Sequence, residues 1–369
     1  IYLRALVIGG TGPTGHFVVN GLLQRGYQVD MLHLGGHEID EIPAEVVHIH
    51  TDPYDQSCLE EALAGKSYDV CFAMYGRLRA IAEVLRDRVG RFISAGGAPA
   101  YKGYMNPYLF KPVGLPVPTR EDAPVVEDES EDSKGFRIRL TEEKLFKLIP
   151  TATHFRYPFV YGPYQLVPRE WLILRRVLDK RPFIILPDGG LTLHSFGYAE
   201  NIAHALLLAL DEPGSSEGKI YNIADDQLLS LRQVSEIIIE HMGSDMQIIS
   251  MPYDVAPCTR PLVMQPTTTH RVQDTAAVRS DLGYRDKVDS VTALQRTVDW
   301  LLANSPEPGG TEEWVLEDPF DYAAEDELYS RWQKAQVSLG EVVFATEPGI
   351  GMAYSGPGGR SRSQQTFKD

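Results

Sequence analysis

The chain has 369 residues, enough for one large or two ordinary domains, and its apolar fraction of 43% is that of a globular protein. Its formal net charge of −16 makes a surface that repels nucleic acid and anionic membrane, and no run reaches the roughly 18 apolar residues that a bilayer span needs. Cys58, Cys71 and Cys258 lie far apart with no Cys-x-x-Cys pair, and no signal-peptide pattern opens the sequence. That argues against a disulfide framework and predicts a cytoplasmic protein.

Residues 1–8 form an apolar run that reads as a strand, followed at once by Gly9-Gly10-Thr11-Gly12-Pro13-Thr14-Gly15. A helix over 16–24 comes next, with Gly26 as its stop, and then a second strand over 28–34. Strand, Gly-rich turn, helix and strand in this order predict a dinucleotide site. Gly9 permits the tight turn, Gly12 lets the backbone approach a pyrophosphate, and Gly15 lets helix and strand pack closely. The helix N-terminus offers free N–H groups to the anion. Gly9, Thr11, Gly12, Pro13, Thr14 and Gly15 are therefore candidate cofactor contacts.

A third strand is predicted over 46–50, ending at Asp52, and a fourth over 68–74; a helix over 77–89 and a fifth strand over 91–95 follow. The alternation predicts a doubly wound, parallel α/β sheet of the Rossmann type. Residues 101–133 break the rhythm: Pro and Gly come first, then Glu121, Asp122, Glu127, Asp128, Glu129, Glu131 and Asp132. This insert reads as a solvated loop or as a lid over a substrate cleft. Further helices are expected over 136–148, 171–178, 199–210, 231–241 and 291–303, with a sixth strand over 153–160.

The expected division is a dinucleotide-binding domain over 1–165, with returns at about 192–225. A smaller C-terminal substrate domain takes 166–191 and 226–304, and an arm with a tail takes 305–369. Trp314, Phe320, Tyr322 and Trp332 sit among acids in that arm, which predicts docking back on the body to help close the cleft. The last dozen residues read as mobile by composition.

From residue 1 to about 303 the chain resembles the extended short-chain dehydrogenase/reductase family, relatives of the sugar-nucleotide epimerases and dehydratases. The glycine loop resembles the family's opening motif. Arg156-Tyr157-Pro158-Phe159-Val160-Tyr161-Gly162-Pro163 resembles its Arg-x-x-x-Val-Tyr-Gly-Pro, and the segment 195–203, Tyr221-Asn222 and Leu282-Gly283-Tyr284 resemble later ones. The resemblance implies that Asp52, with Pro53, contacts adenine and that Ala73, Met74 and Tyr75 line the cofactor. It also places Ser94, Pro158 and Phe159 among the cofactor contacts.

One part of the pattern is missing. The family's chemistry uses a Tyr acid/base with a Lys four residues later, and none of the 18 tyrosines has Lys at that spacing. Alignment places Gly135 at the Tyr position, Arg139 at the Lys position and Gly97 at the substrate-orienting Ser. Arg139 keeps a charge for ribose hydroxyls but cannot relay a proton. Replacement acid/base candidates are Tyr101 with Lys102, among Tyr104, Tyr108 and Lys111 beyond the fifth strand, then Tyr161 and His194. For each, wall packing is the plainer reading.

At the end of the second strand His33 holds the family's acidic position and Leu34 its basic one. The cofactor is NAD or NADP, and the lack of a nearby Arg or Lys favours NAD. His48 and His50 share a strand face, but with no third ligand in view the expectation is no metal. The expected function is an NAD(P)-dependent oxidoreductase or epimerase/lyase acting on a small-molecule substrate with a non-standard acid/base. The alternative is a non-catalytic dinucleotide-binding or regulatory protein, with an RNA-associated version disfavoured by the charge. A homodimer is left open.

Overall fold

The computed structural model describes residues 3–349. The tail read as mobile from its composition lies outside the described residues. In chain order the strands are β1 (Leu3–Ile8), β2 (Tyr27–His33), β3 (Val47–His50), β4 (Tyr68–Ala73), β5 (Val89–Gly97) and β6 (Thr153–Tyr157). Then come β7 (Phe159–Tyr161), β8 (Phe183–Pro187), β9 (Phe196–Tyr198), β10 (Ile220–Asn222) and β11 (Gln247–Met251). The helices are α1 (Gly15–Gln24), α2 (Gln56–Ala62), α3 (Leu78–Leu85), α4 (Ser133–Leu148) and α5 (Trp171–Leu178). They continue as α6 (Ala199–Asp211), α7 (Leu231–His241), α8 (Ala276–Leu282), α9 (Ser290–Ala303) and α10 (Tyr322–Gly340).

Seven strands make the central sheet in the order β3-β2-β1-β4-β5-β6-β10, and every neighbouring pair is parallel. The order reverses between β1 and β4, so the ligand crevice of such a sheet opens beyond their carboxyl ends. Both faces are covered, which is why β1 reads as an unbroken apolar run. Ala5 and Val7 face a core with Val18, Leu22 and Leu206, while Leu6 and Ile8 face Leu59, Ile81 and Leu145. The two smaller sheets are β8 with β11 and β7 with β9.

Helix starts follow local chemistry. Asp55, Asp132 and Asp289 each accept a backbone N–H of the first turn, and Ser230 forms a reciprocal capping box with Gln233. α1 has no such cap, because the Thr14 side chain accepts no N–H of its first turn.

The structure corrects several expectations. The helix expected over 77–89 stops at Leu85, and Val89 already belongs to β5. The expected sixth strand is two: Pro158 has no N–H for a ladder, and β7 leaves the sheet to pair with β9. The acidic insert is tied to the body at several points. Thr119 N donates to Val272 O at 2.7 Å, Val126 N to Ala100 O at 2.9 Å, and Asn222 N to the Glu121 carboxylate at 2.9 Å.

The described chain forms two compact units, one through Pro319 and one from Phe320. Residues 306–319 belong to the first. There Glu313 accepts from Trp171 Nε1 at 2.8 Å, from Gly309 N at 2.7 Å and from Arg175, while Arg176 pairs with Asp318 at 2.9 Å. The anchors are thus carboxylates and Leu316. Trp314, expected to be buried, is 78% exposed. The second unit is α10, begun by the Asp321 cap on Ala324 N. No helix of the described residues is long and apolar enough to cross a membrane.

Candidate active site

The glycine loop has the geometry its spacing predicts. Gly9 has φ +94°, and a Cβ there would lie 2.5 Å from Tyr75 Cβ. At Gly15 a Cβ would lie 2.4 Å from Gly9 O, so strand end and helix start touch through bare backbone. Gly12 differs: its Cβ would meet only Gly9 O, at 3.5 Å. Nothing in the protein requires Gly at 12. The space above it faces the uncapped start of α1 and suits a pyrophosphate.

Thr14, Met74, Tyr75, Tyr54 and Tyr157 surround this loop. Thr14 Oγ1 lies 3.3 Å from Tyr157 OH and 3.6 Å from Met74 Sδ. Burial raises the Tyr157 phenol. Tyr54 and Tyr75 are each 42% exposed, with ring centroids 5.3 Å apart edge to face. Burial first, then the contact with Tyr75, pushes Tyr54 up to about 12. Asp52 holds the turn below them by accepting Tyr54 N at 2.8 Å, and the buried Pro53 gives its carbonyl to Arg77 N. Ala73 packs in the core, so only its backbone can serve a ligand. Thr11, Pro13 and Phe159 are partly exposed, whereas Pro158 is buried. Sequence reasoning missed Tyr157 as a site residue; its place at the carboxyl end of β6 is the signal that could have found it.

Other candidates go elsewhere. Ser94 is buried and bonds His154 Nδ1 at 2.8 Å, inside a group completed by Glu142 and Arg156. Burial alone would raise Glu142, but Arg156 and His154 hold it down at about 2. Tyr101 is fully buried, donates to Asn222 Oδ1 at 2.7 Å and lies under the Arg156 guanidinium. Burial raises its phenol. Lys102 points away, paired with Glu131 at 2.6 Å. Tyr101 and Lys102 thus form no joint proton-transfer pair. Arg139 is held by Glu143, one helical turn on, and by the carbonyl of Glu127. Gly135 has no room for the family's Tyr: a Cβ there would stand 2.4 Å from Pro99 O and 2.6 Å from Val126 Cγ2.

A second concentration of polar groups lies behind Phe159. His194 is buried 6.1 Å from the Phe159 ring, with Nε2 3.0 Å from Tyr104 OH and Nδ1 3.4 Å from an Arg271 nitrogen. The backbone sets this pairing, since Arg271 N donates to Leu193 O and Ser195 N to Arg271 O. A narrow recess with about 30 Å³ of internal space is lined by His194, Arg169, Glu170, Tyr161, Phe196 and Asp225, among others.

Arg169 is buried, lies 3.5 Å over the Phe196 ring, and has no side-chain hydrogen bond or ion pair among the described residues. Burial brings its guanidinium down to about 10. Arg271 gives one nitrogen to Val263 O and leaves its buried Nε without a partner. Burial, then Arg271 and Arg169, hold His194 well below its ordinary value, so its imidazole is neutral. Tyr161 donates to Asp225 at 2.7 Å, and burial followed by that carboxylate raises its phenol far up. Arg169 and Arg271 carry no sequence signal, because the fold alone brings 169, 194 and 271 together.

The expectation of no third ligand near His48 and His50 also fails. β2 and β3 are in register with His33 beside His50, and Glu38 from the following loop joins them. His33 is turned into this group and not toward open crevice, with Nε2 3.0 Å from His48 Nδ1.

No family model matches the chain. Among sequence relatives, YbjS of Escherichia coli, an uncharacterized protein, is 26% identical over 192 residues, 45% of this chain and 56% of that protein. A mitochondrial NADH dehydrogenase (ubiquinone) 1 alpha subcomplex subunit 9 of Arabidopsis thaliana is 23% identical over 270 residues, 68% of this chain and 61% of that one. The matches thus span a little over half the length of these relatives. Among solved structures, UDP-glucose 4-epimerase of Thermotoga maritima with UDP-glucose superposes with TM-score 0.64 at 19% identity, covering 82% of this chain and all of that one. WbmG of Bordetella bronchiseptica with NAD and UDP gives 0.62 at 17%, covering 82% and 95%. The chain has the fold of the extended short-chain dehydrogenase/reductases.

Proposed function

We propose that this protein is an NAD(P)-dependent oxidoreductase or epimerase/lyase whose substrate carries negative charge. The observation that carries this reading is the recess. Two buried guanidinium groups, Arg169 and Arg271, stand near a neutral His194, and no carboxylate among the described residues forms an ion pair with either of them. Buried cations without a carboxylate counterion are costly, so the arrangement calls for an anion. The WbmG structure contains UDP, an anion of the expected kind.

Residues 9–15 fit a dinucleotide: Gly12 leaves its space open, and α1 has N–H groups to offer. Thr11, Pro13 and Thr14 would flank the pyrophosphate, Asp52 and Pro53 the adenine, and Tyr75, Tyr157 and Phe159 the path toward the nicotinamide. When bound, the nicotinamide supplies a hydride acceptor and donor. No Lys or Arg occurs between residues 33 and 50, which supports NAD over NADP. The lobe formed by 166–191 and 226–304 would hold the substrate.

His194 is the group that handles the proton. Arg271 can only donate, so Nδ1 is the acceptor and Nε2–H points to Tyr104 oxygen. Tyr104 is a positioning residue that holds the ring. An anion beside Arg169 and Arg271 offsets the two charges that add to burial in depressing His194, so substrate arrival makes the ring more basic. When the anion draws the Arg271 N–H away from Nδ1, the freed Nδ1 lone pair takes the proton of a substrate hydroxyl.

The test uses NAD and UDP as probes in calorimetry. NAD is expected to bind, and UDP to bind the NAD-loaded protein with affinity lost in Arg169→Met. No NAD binding, or UDP affinity unchanged in Arg169→Met and Arg271→Met, overturns the reading. The packing at Gly135 favours a second one, a dinucleotide-binding protein without turnover. It predicts NAD binding with no reduced nicotinamide formed from any of a set of nucleotide sugars.

A further inference from the structure

We propose that His33, Glu38, His48 and His50 form a binding site for a zinc-class divalent ion at the carboxyl end of β2. The four residues come from two adjacent strands and one loop. His33 and His50 are register partners on β2 and β3, and His48 lies two residues earlier on the same face. Glu38 reaches back from the loop after β2.

His33 Nε2 is 3.0 Å from His48 Nδ1 and 3.6 Å from Glu38 Oε1. Glu38 Oε2 is 3.3 Å from His48 Nδ1, and Oε1 is 3.3 Å from His50 Nε2. All four residues offer ligand atoms within 4.8 Å of one another. A tetrahedral zinc ion with bonds of about 2.0–2.2 Å separates its ligand atoms by roughly 3.3–3.5 Å. The spacing between most of these groups is therefore already near what that ion requires, and small side-chain shifts close the rest.

The donor set selects the ion. Three imidazoles with one carboxylate suit zinc, cobalt, nickel or copper, and not magnesium or calcium, which take oxygen ligands. Burial is graded in a useful way. The His33 side chain is 5% exposed, His48 27%, Glu38 50% and His50 54%, so the cluster has a fixed floor and an open side for entry. Gly35 has φ +85°, and a Cβ there would lie 3.1 Å from the His50 ring, so the turn after β2 is shaped around that ligand. Gly35 N also donates to His33 Nδ1 at 3.3 Å, which puts the imidazole proton on Nε2. Metal occupancy moves that proton to Nδ1 and gives up this long contact.

The site has a structural consequence. β3 is the edge strand, is exposed or half-exposed at all four positions, and pairs only with β2. A metal bridging His33 to His48 and His50 ties the edge to the sheet, and Glu38 fixes the loop over 34–46. The site thereby stiffens the rim of the proposed adenosine pocket. It does not depend on catalysis.

The experiment adds zinc, and separately cobalt(II), to chelator-treated protein. Calorimetry is expected to show one zinc per chain. Cobalt is expected to give the intense visible bands of a tetrahedral complex, and the melting temperature to rise by a few degrees with zinc. His50→Ala and Glu38→Gln should each weaken zinc by about tenfold or more, and the His48→Ala/His50→Ala double variant should abolish both the cobalt spectrum and the thermal shift. Circular dichroism and NAD affinity of the double variant check that it folds. A folded double variant with unchanged zinc affinity, or a parent protein with no saturable zinc binding, overturns the proposal and leaves a hydrogen-bonded histidine cluster.

Discussion

Two alanine substitutions three residues apart should separate ligand binding from folding. In Gly15→Ala the new methyl lies 2.4 Å from Gly9 O and 2.5 Å from the carbonyl atoms of Gly10, all backbone that cannot swing away. Overpacking of this kind costs about 1–3 kcal/mol of stability. In Gly12→Ala the methyl meets only Gly9 O at 3.5 Å, an ordinary contact, so stability should stay within about 0.5 kcal/mol. The same methyl occupies the approach of a pyrophosphate to the loop N–H groups. Losing two hydrogen bonds to a charged group, about 1.5–3 kcal/mol each, raises the Kd for NAD by about 10²–10⁴-fold. Urea unfolding and NAD calorimetry on both variants give the comparison. The reasoning is refuted if Gly12→Ala binds NAD like the parent, or if it loses as much stability as Gly15→Ala.

Gly135→Tyr, which restores the family's residue, should lower the urea midpoint and yield no new activity, because even a Cβ overlaps Pro99 O and Val126. A stable, active variant would show that the turn at 98–100 yields. Glu142→Gln should cost about 3–5 kcal/mol, since it leaves Arg156 buried without its carboxylate. Glu142 is depressed to about 2, so its contribution is complete above the ordinary carboxylate range and fades as pH falls through about 2. Parent stability should therefore slope downward across that acid window and the variant should slope less, as read by unfolding at stepped pH. Glu313→Ala should speed hydrogen exchange across residues 306–319 by freeing Trp171, Arg175 and Gly309 at once, and unchanged exchange there would remove Glu313 as the anchor.

The strands of the central sheet were legible because a parallel sheet buried on both faces leaves continuous apolar runs, as at 3–8 and 68–73. The glycine loop was legible because Gly9 and Gly15 answer to local backbone demands. Tyr101 was correctly placed beyond β5, yet its direction is set by Asn222, an edge-strand residue 121 positions later. The histidine cluster was half legible. Alternation put His48 and His50 on one face, but the partner strand's register adds His33 and a loop adds Glu38. Arg169, His194 and Arg271 form a unit only through the backbone pairing of 193–195 with 271, which no local pattern encodes.

The missing Tyr-x-x-x-Lys pair is one face of a coordinated change. Gly96, Gly97 and Gly135 are all crowded where a side chain would begin: His154 Nε2 stands 2.5 Å from a Cβ at 96, Pro99 Cδ 3.1 Å from one at 97, and Pro99 O 2.4 Å from one at 135. The turn at 98–100 occupies the space that side chains at 97 and 135 would need, and Glu142, His154 and Arg156 form a buried ion-pair group behind it. Reverting one residue cannot restore the family's acid/base, because the backbone and the buried charges would have to move with it. Under the proposed function, proton transfer has to come from outside α4. The recess beyond Phe159, with His194 between two guanidinium groups, is a place where the structure keeps a titratable group beside uncompensated charge.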